Sequence, residues 1–260
     1  MPPQNVYDNA TFFENYSTLP RSVHGLDGAP EWPRLQTFLP DLKGRKVLDL
    51  GCGFGWFCRW AVDHGAATVH GIDISNNMLE KARVMTEEGG RRYRGITYAR
   101  ADLDSLELPE SDTDSYDVAF SSLAFHYLEN LPRLVQLVRR VLKPGGKLVF
   151  NVEHPIFTAP PAPALKVDPG TGGKYWKLED YQKQGLRSRP WFVDAVEKQH
   201  RTMTAYVNLL LDNGFVLTDF DEWHPTAGDL EAHPEWETEM IRPMFLLIGA
   251  TKNHWMVPTS

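Results

Sequence analysis

The sequence has 260 residues, of which 42% are hydrophobic and 23% charged, and its formal net charge is −7. The length allows one large or two small domains, and no stretch approaches the roughly 18 apolar residues needed to cross a bilayer. Because nucleic-acid-binding proteins usually carry a basic surplus, the acidic balance disfavours RNA or DNA as a substrate, and we interpret the one basic cluster, residues 91–95, as a solvated loop.

The start of the chain lacks the basic and then apolar pattern of a secretory signal, so we expect a cytoplasmic protein. Only two cysteines occur, Cys52 and Cys58. Two thiols at this spacing, with no second pair, do not make a zinc site. We interpret them as small apolar residues in a reducing compartment, and we expect no metal.

The first half of the chain alternates between strand and helix patterns. Residues 1–45 are irregular, with short helices predicted around 10–16 and 33–39. Strands are predicted at 46–50, 68–74, 95–102, 116–122 and 147–153, and helices at 55–65 and 75–90. A further helix is predicted from residue 131, ended by Pro144 and the glycines after it. Ser75 is a candidate N-cap and Gly89 a candidate C-cap. Strands separated by helices indicate βαβ units and therefore a parallel sheet.

The regular pattern is interrupted at residues 154–198, which are rich in proline and aromatic residues. A long insertion without regular structure is usually functional or disordered, and its aromatic content argues against disorder. We therefore predict a cap over the carboxyl edge of the sheet. A helix at 197–212 and strands at 215–220 and 244–252 follow. The predicted single domain thus comprises an N-terminal segment (1–45), a core (46–153), the cap (154–198) and a C-terminal part (199–260).

The most informative stretch is residues 46–57, KVLDLGCGFGWF, in which a strand leads into three alternate glycines. A glycine-rich turn between a first strand and its helix brings the backbone close to a nucleotide-like ligand. The dinucleotide fingerprint needs a third glycine three residues after the second. Trp56 or Cys58 occupies that position here, so NAD or FAD fits poorly.

The pattern Asp49, Gly51, Gly53, Gly55 instead resembles the first motif of the class I S-adenosylmethionine (SAM) methyltransferases. Three later motifs agree in order and spacing: an acid 20 residues after Gly53, the segment ARADL, and SSLAF followed by LKPGG. The resemblance implies an α/β fold with a doubly wound, mostly parallel, seven-stranded Rossmann-like sheet and an antiparallel last strand. It also implies SAM as the cofactor.

The resemblance further assigns roles to individual residues. Asp49 suits the ammonium group of SAM, directly or through water. Asp73 is placed to accept the ribose hydroxyl groups, and Asp102 lies near the adenine amine with Leu103 beside it. The same pocket is expected to include Ile74, Met78 and Ser121.

More narrowly, the segments YDNATFFENY, VEHPIF, QHRTM and RPMFLL resemble a small bacterial group of methyltransferases related to the ubiquinone/menaquinone C-methyltransferases. Most substrates of that group are undefined, so this resemblance implies the reaction and not the acceptor. The cap's aromatic residues favour a small hydrophobic or aromatic acceptor. We expect neither a nucleic-acid nor a membrane partner, and no oligomeric state follows from the sequence.

Methyl transfer from a sulfonium is an in-line displacement, and a base is needed only if the acceptor enters protonated. His126 and His154 are the candidate bases, because both follow strands at the carboxyl edge. Each histidine also has a possible structural role instead of a catalytic one. His126 could pack on the adenosyl pocket, and the imidazole of His154 could cap a turn at Pro155. His200 and His224 are interpreted as structural or surface residues.

Tyr16 and Arg21 are predicted either to close over the cofactor carboxylate or to belong to a solvated arm. Two other functions are also considered for the whole chain. One is a SAM-binding sensor or partner subunit without catalysis, which a filled acceptor cavity would favour. The other, an NAD-dependent oxidoreductase, conflicts with Trp56.

Overall fold

The computed structural model describes residues 4–253, which form eleven strands and nine α-helices. The strands are β1 (Lys46–Leu50), β2 (Thr68–Asp73), β3 (Ile96–Arg100), β4 (Tyr116–Ser122), β5 (Leu142–Glu153), β6 (Leu165–Val167), β7 (Lys174–Trp176), β8 (Gly185–Trp191), β9 (Val193–His200), β10 (Phe215–Glu222) and β11 (Phe245–Lys252). The helices are α1 (Ala10–Tyr16), α2 (Pro20–Val23), α3 (Trp32–Leu35), α4 (Trp56–Asp63), α5 (Asn76–Glu88), α6 (Leu131–Val141), α7 (Pro155–Thr158), α8 (Met203–Asp212) and α9 (Ala227–Ala232). None of these helices is both long and apolar enough to span a bilayer.

Seven strands form one sheet in the order β10-β11-β5-β4-β1-β2-β3. The pairs β1–β2, β2–β3, β1–β4 and β4–β5 are parallel, whereas β11 is antiparallel to both of its neighbours. The predicted doubly wound α/β fold with an antiparallel last strand is therefore confirmed. The chain reverses its direction of travel across the sheet between β1 and β4, which is where open α/β sheets bind their ligands.

Both faces of the sheet are covered by apolar side chains. Leu48 and Leu50 of β1 belong to one buried cluster, together with the apolar residues of α6, and Val47 belongs to a second cluster with Trp32 and Phe57. Successive strand residues point to opposite faces, so a strand covered on both faces must be apolar throughout. This explains the uninterrupted apolar runs of the parallel strands.

The capping residues predicted from the sequence agree with the ends of α5. Ser75 caps α5 by accepting a hydrogen bond from the Met78 N–H at 3.1 Å, and Gly89 follows the helix as its C-cap. The helix that was predicted to be ended by Pro144 stops slightly earlier, at Val141. Leu142 is already extended and pairs with Tyr116 of β4. Lys143, the residue directly before Pro144, is disfavoured in a helix.

Residues 154–198 are more regular than the sequence suggested. They hold α7, the hairpin β6–β7 and most of a longer hairpin, β8–β9, whose pairing runs from Gly185 opposite His200 to Trp191 opposite Val193. The helix predicted to begin at residue 197 was therefore wrong at its start. It begins at Met203, where the Thr202 hydroxyl caps the Ala205 N–H at 3.1 Å.

Candidate functional site

A cavity of about 950 Å³ opens at the carboxyl ends of β1, β2, β4 and β5. This volume lies near the top of the range of about 300–1,000 Å³ seen for small-molecule pockets. The glycine loop, the N-terminal segment and the β8–β9 hairpin all contribute to its lining. The cavity is large enough for a nucleotide-like cofactor with a second molecule beside it.

The glycine loop owes its shape to two close approaches. Gly51 has a φ of +80°, and an added Cβ would lie 2.4 Å from the Ala124 Cβ, so a side chain does not fit there. The Gly53 N–H donates to Asp73 Oδ2 at 2.8 Å, which fixes the loop to the end of β2. The backbone of the loop is thereby held against the cavity.

Gly55 was expected to line the pocket, and the structure corrects this. It lies outside the cavity wall as the N-cap residue of α4. An added Cβ at Gly55 would lie 2.2 Å from the Tyr98 hydroxyl. The third glycine is therefore required for packing between the loop and β3.

Asp49 borders the cavity although its side chain is almost entirely buried, with 2% exposure. Burial raises the pKa of Asp49 to about 7, and the nearby Asp73 charge acts in the same direction. The Cys58 thiol donates to Asp49 Oδ2 at 3.1 Å. A cationic group placed beside this carboxyl would favour its ionised form.

Asp73 also lines the cavity and is held rigidly by the backbone. Its Oδ2 accepts from Gly53 and its Oδ1 from the Ser75 N–H at 2.9 Å. Each carboxylate oxygen has a second lone pair, so two acceptors remain for a ligand. Burial raises the pKa of Asp73, and these backbone hydrogen bonds oppose that shift.

Four of the other predicted cofactor residues lie along the same wall: Ile74, Met78, Asp102 and Leu103. Asp102 Oδ1 accepts from the Asp104 N–H at 3.0 Å, which fixes the loop after β3. The structure thus brings together in one wall the carboxyl ends of β1, β2 and β3.

Ser121 is a second correction. Its hydroxyl is fully buried and donates to the Leu50 carbonyl at 2.7 Å, joining β4 to β1. Its neighbour Ser122 lines the cavity instead. The two serines differ by one position in a strand, so their side chains point to opposite faces.

His126 lines the cavity, but its hydrogen bonding does not suit a base. The Glu153 N–H donates to His126 Nδ1 at 3.3 Å, and burial lowers the pKa of the imidazole to about 3. The ring is therefore neutral at physiological pH, with its proton on Nε2. It offers the cavity a hydrogen-bond donor.

His154 is the third correction, because its ring lies outside the cavity wall and is fully buried. Nδ1 accepts from the Ile156 N–H at 3.0 Å, and Nε2 bonds Glu222 Oε1 at 2.8 Å. The residue is thus the N-cap of α7 and a link to β10. Its position after β5 is as predicted, but its side chain does not line the cavity.

Replacing His154 with alanine is expected to lower stability by about 1–2 kcal/mol, because it removes a helix cap. That corresponds to about 2–8 °C in Tm for a domain of this size. Affinity for S-adenosylhomocysteine (SAH), measured by calorimetry, should stay within about twofold. His154→Asn, which keeps a capping acceptor, is the matched control and should recover part of the loss. A fall in turnover without any fall in Tm would contradict the structural role.

The N-terminal segment is fastened beside the cofactor wall. Asp8 accepts from the Ser75 hydroxyl at 2.6 Å and from the backbone N–H groups of Asn77 and Asn76 at 3.0 and 3.2 Å. The Tyr7 and Tyr127 hydroxyls are 3.2 Å apart. Asp8 therefore satisfies free N–H groups in the first turn of α5, directly after the ribose-binding candidate Asp73.

Tyr16 and Arg21 both line the cavity, and their closing over a cofactor carboxylate stays a prediction. The Tyr16 ring lies 6.2 Å from the Trp191 ring at the tip of the β8–β9 hairpin. The Arg21 guanidinium already has a carboxylate partner, since it forms two 3.2 Å hydrogen bonds with buried Glu31. The N-terminal segment and the hairpin thus meet above the cavity.

Sequence reasoning gave no role to three residues that shape the site, namely Asp8, Glu31 and Lys198, and it treated Trp191 only as one of the cap's aromatic residues. The partners of Asp8 and Lys198 are 67 and 45 residues away in the chain, so no local pattern reveals them. Among residues 4–253, no group of three or more His, Cys, Asp or Glu side chains is arranged to hold a metal ion.

Comparison with known proteins agrees with this geometry. Residues 48–150 match the family described as "Methyltransferase domain". The solved structure of an S-adenosylmethionine-dependent methyltransferase from Mesorhizobium loti is 47% identical, with a TM-score of 0.81. The similarity covers 87% of this chain and all of that one.

Two relatives with named acceptors are similar over shorter stretches. A malonyl-[acyl-carrier protein] O-methyltransferase of Erwinia pyrifoliae is 35% identical over 41% of this chain and 36% of its own length. A tRNA U34 carboxymethyltransferase of Shewanella frigidimarina is 33% identical over 71% of this chain and 52% of its own length. Since the Mesorhizobium protein is similar over its whole length, the chain belongs to the SAM-dependent methyltransferases.

Proposed function

We propose that this methyltransferase acts on a small molecule with a hydrophobic or aromatic body, which it holds in the cavity between the glycine loop and the β8–β9 hairpin. The observation that supports this most is the set of aromatic rings that line the cavity. Aromatic side chains from the N-terminal segment, the glycine loop, the loop after β4 and the hairpin line one cavity: Tyr7, Tyr16, Phe54, Tyr127 and Trp191.

This arrangement suits the chemistry of methyl transfer. Holding the acceptor in line with the sulfonium methyl group can lower the activation free energy by on the order of 7–11 kcal/mol, through proximity and orientation alone. In our assignment Asp49, Asp73 and Asp102 bind the cofactor, and His126 donates a hydrogen bond to the acceptor. The size of the cavity also argues against a sensor or partner subunit without catalysis.

The charge of the cavity favours a small molecule over the acceptors of the two partial relatives. Both tRNA and a malonyl group are anionic, whereas acidic side chains predominate in the lining of this cavity. A relationship to the ubiquinone/menaquinone C-methyltransferases remains a prediction from the sequence. The proposal requires only the cavity and its aromatic wall.

The proposal is tested by supplying SAM labelled in its methyl group together with three acceptor pools. These are a small-molecule metabolite library, bulk tRNA and malonyl-loaded acyl carrier protein. We expect label in the small-molecule pool. Label that enters only tRNA or the carrier protein would contradict the proposal.

Trp191→Ala is expected to raise the KM for the acceptor about fivefold to 30-fold, because loss of an aromatic wall costs about 1–2 kcal/mol. The SAH dissociation constant should change less than about threefold. Trp176→Ala is the matched control, since Trp176 packs on Phe157 elsewhere in the cap and lies outside the cavity wall. Equal effects of the two substitutions on KM would contradict a direct role for Trp191.

A further inference from the structure

The cavity carries a large excess of acidic side chains. Among the described residues that line it, one is basic, Arg21, and that residue is paired with Glu31. Seven are acidic: Asp49, Asp73, Asp102, Asp104, Glu129, Glu153 and Glu197. A cleft lined by one sign of charge concentrates ligands of the opposite sign. The cofactor's sulfonium and ammonium account for part of this charge, but the last four acids lie beyond its assigned wall.

Glu153, at the end of β5, is the most deeply placed of these four. Its Oε1 accepts from the Lys198 ammonium at 2.6 Å, and only 15% of its side chain is exposed. Its Oε2 is buried and has no hydrogen-bond partner within residues 4–253. Although burial acts to raise the pKa of Glu153, the charges of Lys198 and Arg189 hold it below its usual value. The cavity is therefore bordered by an ionised carboxylate with one unsatisfied oxygen.

The surroundings of Glu153 already bind a cation. The Lys198 ammonium lies 4.7 Å from the centre of the Trp191 ring and 5.5 Å from that of Tyr127. A carboxylate with two aromatic faces is a typical environment for an organic ammonium group. Glu153, Tyr127 and Trp191 all line the cavity, so a ligand in the cavity meets the same three groups that hold Lys198.

We propose that the acceptor carries a protonated amine, which the enzyme recognises through Glu153 and the rings of Tyr127 and Trp191. Lys198 is a positioning residue that holds Oε1 and leaves Oε2 for the ligand. This inference rests on the proposed small-molecule function and narrows its substrate class. The amine serves for recognition of the acceptor. The carboxylate that binds it, Glu153, is distinct from the cofactor-binding acids Asp49 and Asp73.

Three probes with the same phenol ring and different tail charges test this inference: tyramine, para-ethylphenol and para-hydroxyphenylpropionate. Their dissociation constants are measured by calorimetry on the full chain saturated with SAH at neutral pH. We expect tyramine to bind about tenfold more tightly than the neutral probe, and the propionate to bind most weakly. Equal affinities, or tightest binding of the propionate, would overturn the inference.

Glu153→Gln should abolish the preference for tyramine, with SAH affinity showing that the variant is folded. Glu179→Gln removes the same charge from an exposed pair with Lys177 in the cap and should keep the preference. Lys198→Met frees Oε1 and should strengthen the preference. Retention of the preference in Glu153→Gln would overturn the inference. Methyl transfer to an anionic small molecule would overturn the amine inference and leave the proposed function standing. Methyl transfer to tRNA alone would contradict the proposed function itself.

Discussion

Replacing Asp73 with alanine is expected to weaken SAH binding by about 1.5–3 kcal/mol, which is about 10- to 150-fold in the dissociation constant. The carboxylate presents two free lone pairs at the end of β2 while the Gly53 and Ser75 N–H groups hold it in place. The substitution removes the acceptors assigned to the ribose and also frees the glycine loop. Calorimetric titration with SAH measures the effect.

Asp73→Asn separates these two contributions. The amide keeps one acceptor oxygen but turns an NH₂ group toward Gly53 or Ser75, so an intermediate loss is expected. Asp219→Asn, on β10 at the far edge of the sheet, is a control for the change of charge. If alanine at position 73 left the affinity unaltered, Asp73 would have no part in cofactor binding.

The affinity for SAH is expected to rise about tenfold between pH 6 and pH 8 and to level off above that. The reason is that burial places the pKa of Asp49 at about 7 in the free protein. Below that pH the Asp49 carboxyl is protonated. Binding of the ammonium group then requires the carboxyl to lose its proton, which weakens the apparent affinity. In Asp49→Asn the affinity should be lower and independent of pH over this range.

The raised pKa of Asp49 also makes the stability of the folded protein depend on pH. A carboxyl whose pKa is higher in the folded than in the unfolded state favours folding at low pH, and this contribution is lost as pH rises through 7. The Tm of Asp49→Asn relative to the natural chain should therefore increase from pH 5 to pH 8. A pH-independent SAH affinity in the natural chain would contradict the role of Asp49.

Much of the cofactor wall was predictable because its signals are local. Asp49, Gly51 and Gly53 are alternate positions at the end of β1 and in the loop after it, and Asp73 and Asp102 lie at or just beyond the end of a strand that the sequence predicts. The caps of α5 follow from Ser75 and Gly89 in the same way. Parallel strand ends share one sheet edge, so these short motifs converge without knowledge of any long-range contact.

The errors have a common cause, which is dependence on distant partners. The His154 ring turns toward Glu222, 68 residues later in the chain, and no local pattern specifies that choice. Ser121 and Ser122 were indistinguishable because a strand buried on both faces gives no alternation to assign its sides. Gly55 faces Tyr98 across the loop, a contact that is fixed by the packing of β3.

The amount of regular structure in the cap was underestimated because it too depends on distant partners. Its hairpin β8–β9 is held by pairing between residues up to 15 positions apart, Gly185 with His200 being the widest, and by the Lys198–Glu153 contact with the core. Proline in the segment suggested irregular structure, but the only proline within this hairpin, Pro190, lies close to its turn, where the missing N–H is tolerated. Aromatic content correctly indicated order.

The most direct test of the central claim is a crystal structure of the full chain with SAH. We expect the ribose hydroxyl groups on Asp73, the adenine beside Asp102 and Leu103, and the amino group next to Asp49. SAH bound elsewhere, or a cavity that takes up NADH and leaves SAH unbound, would contradict the assignment of this wall to the methyl donor.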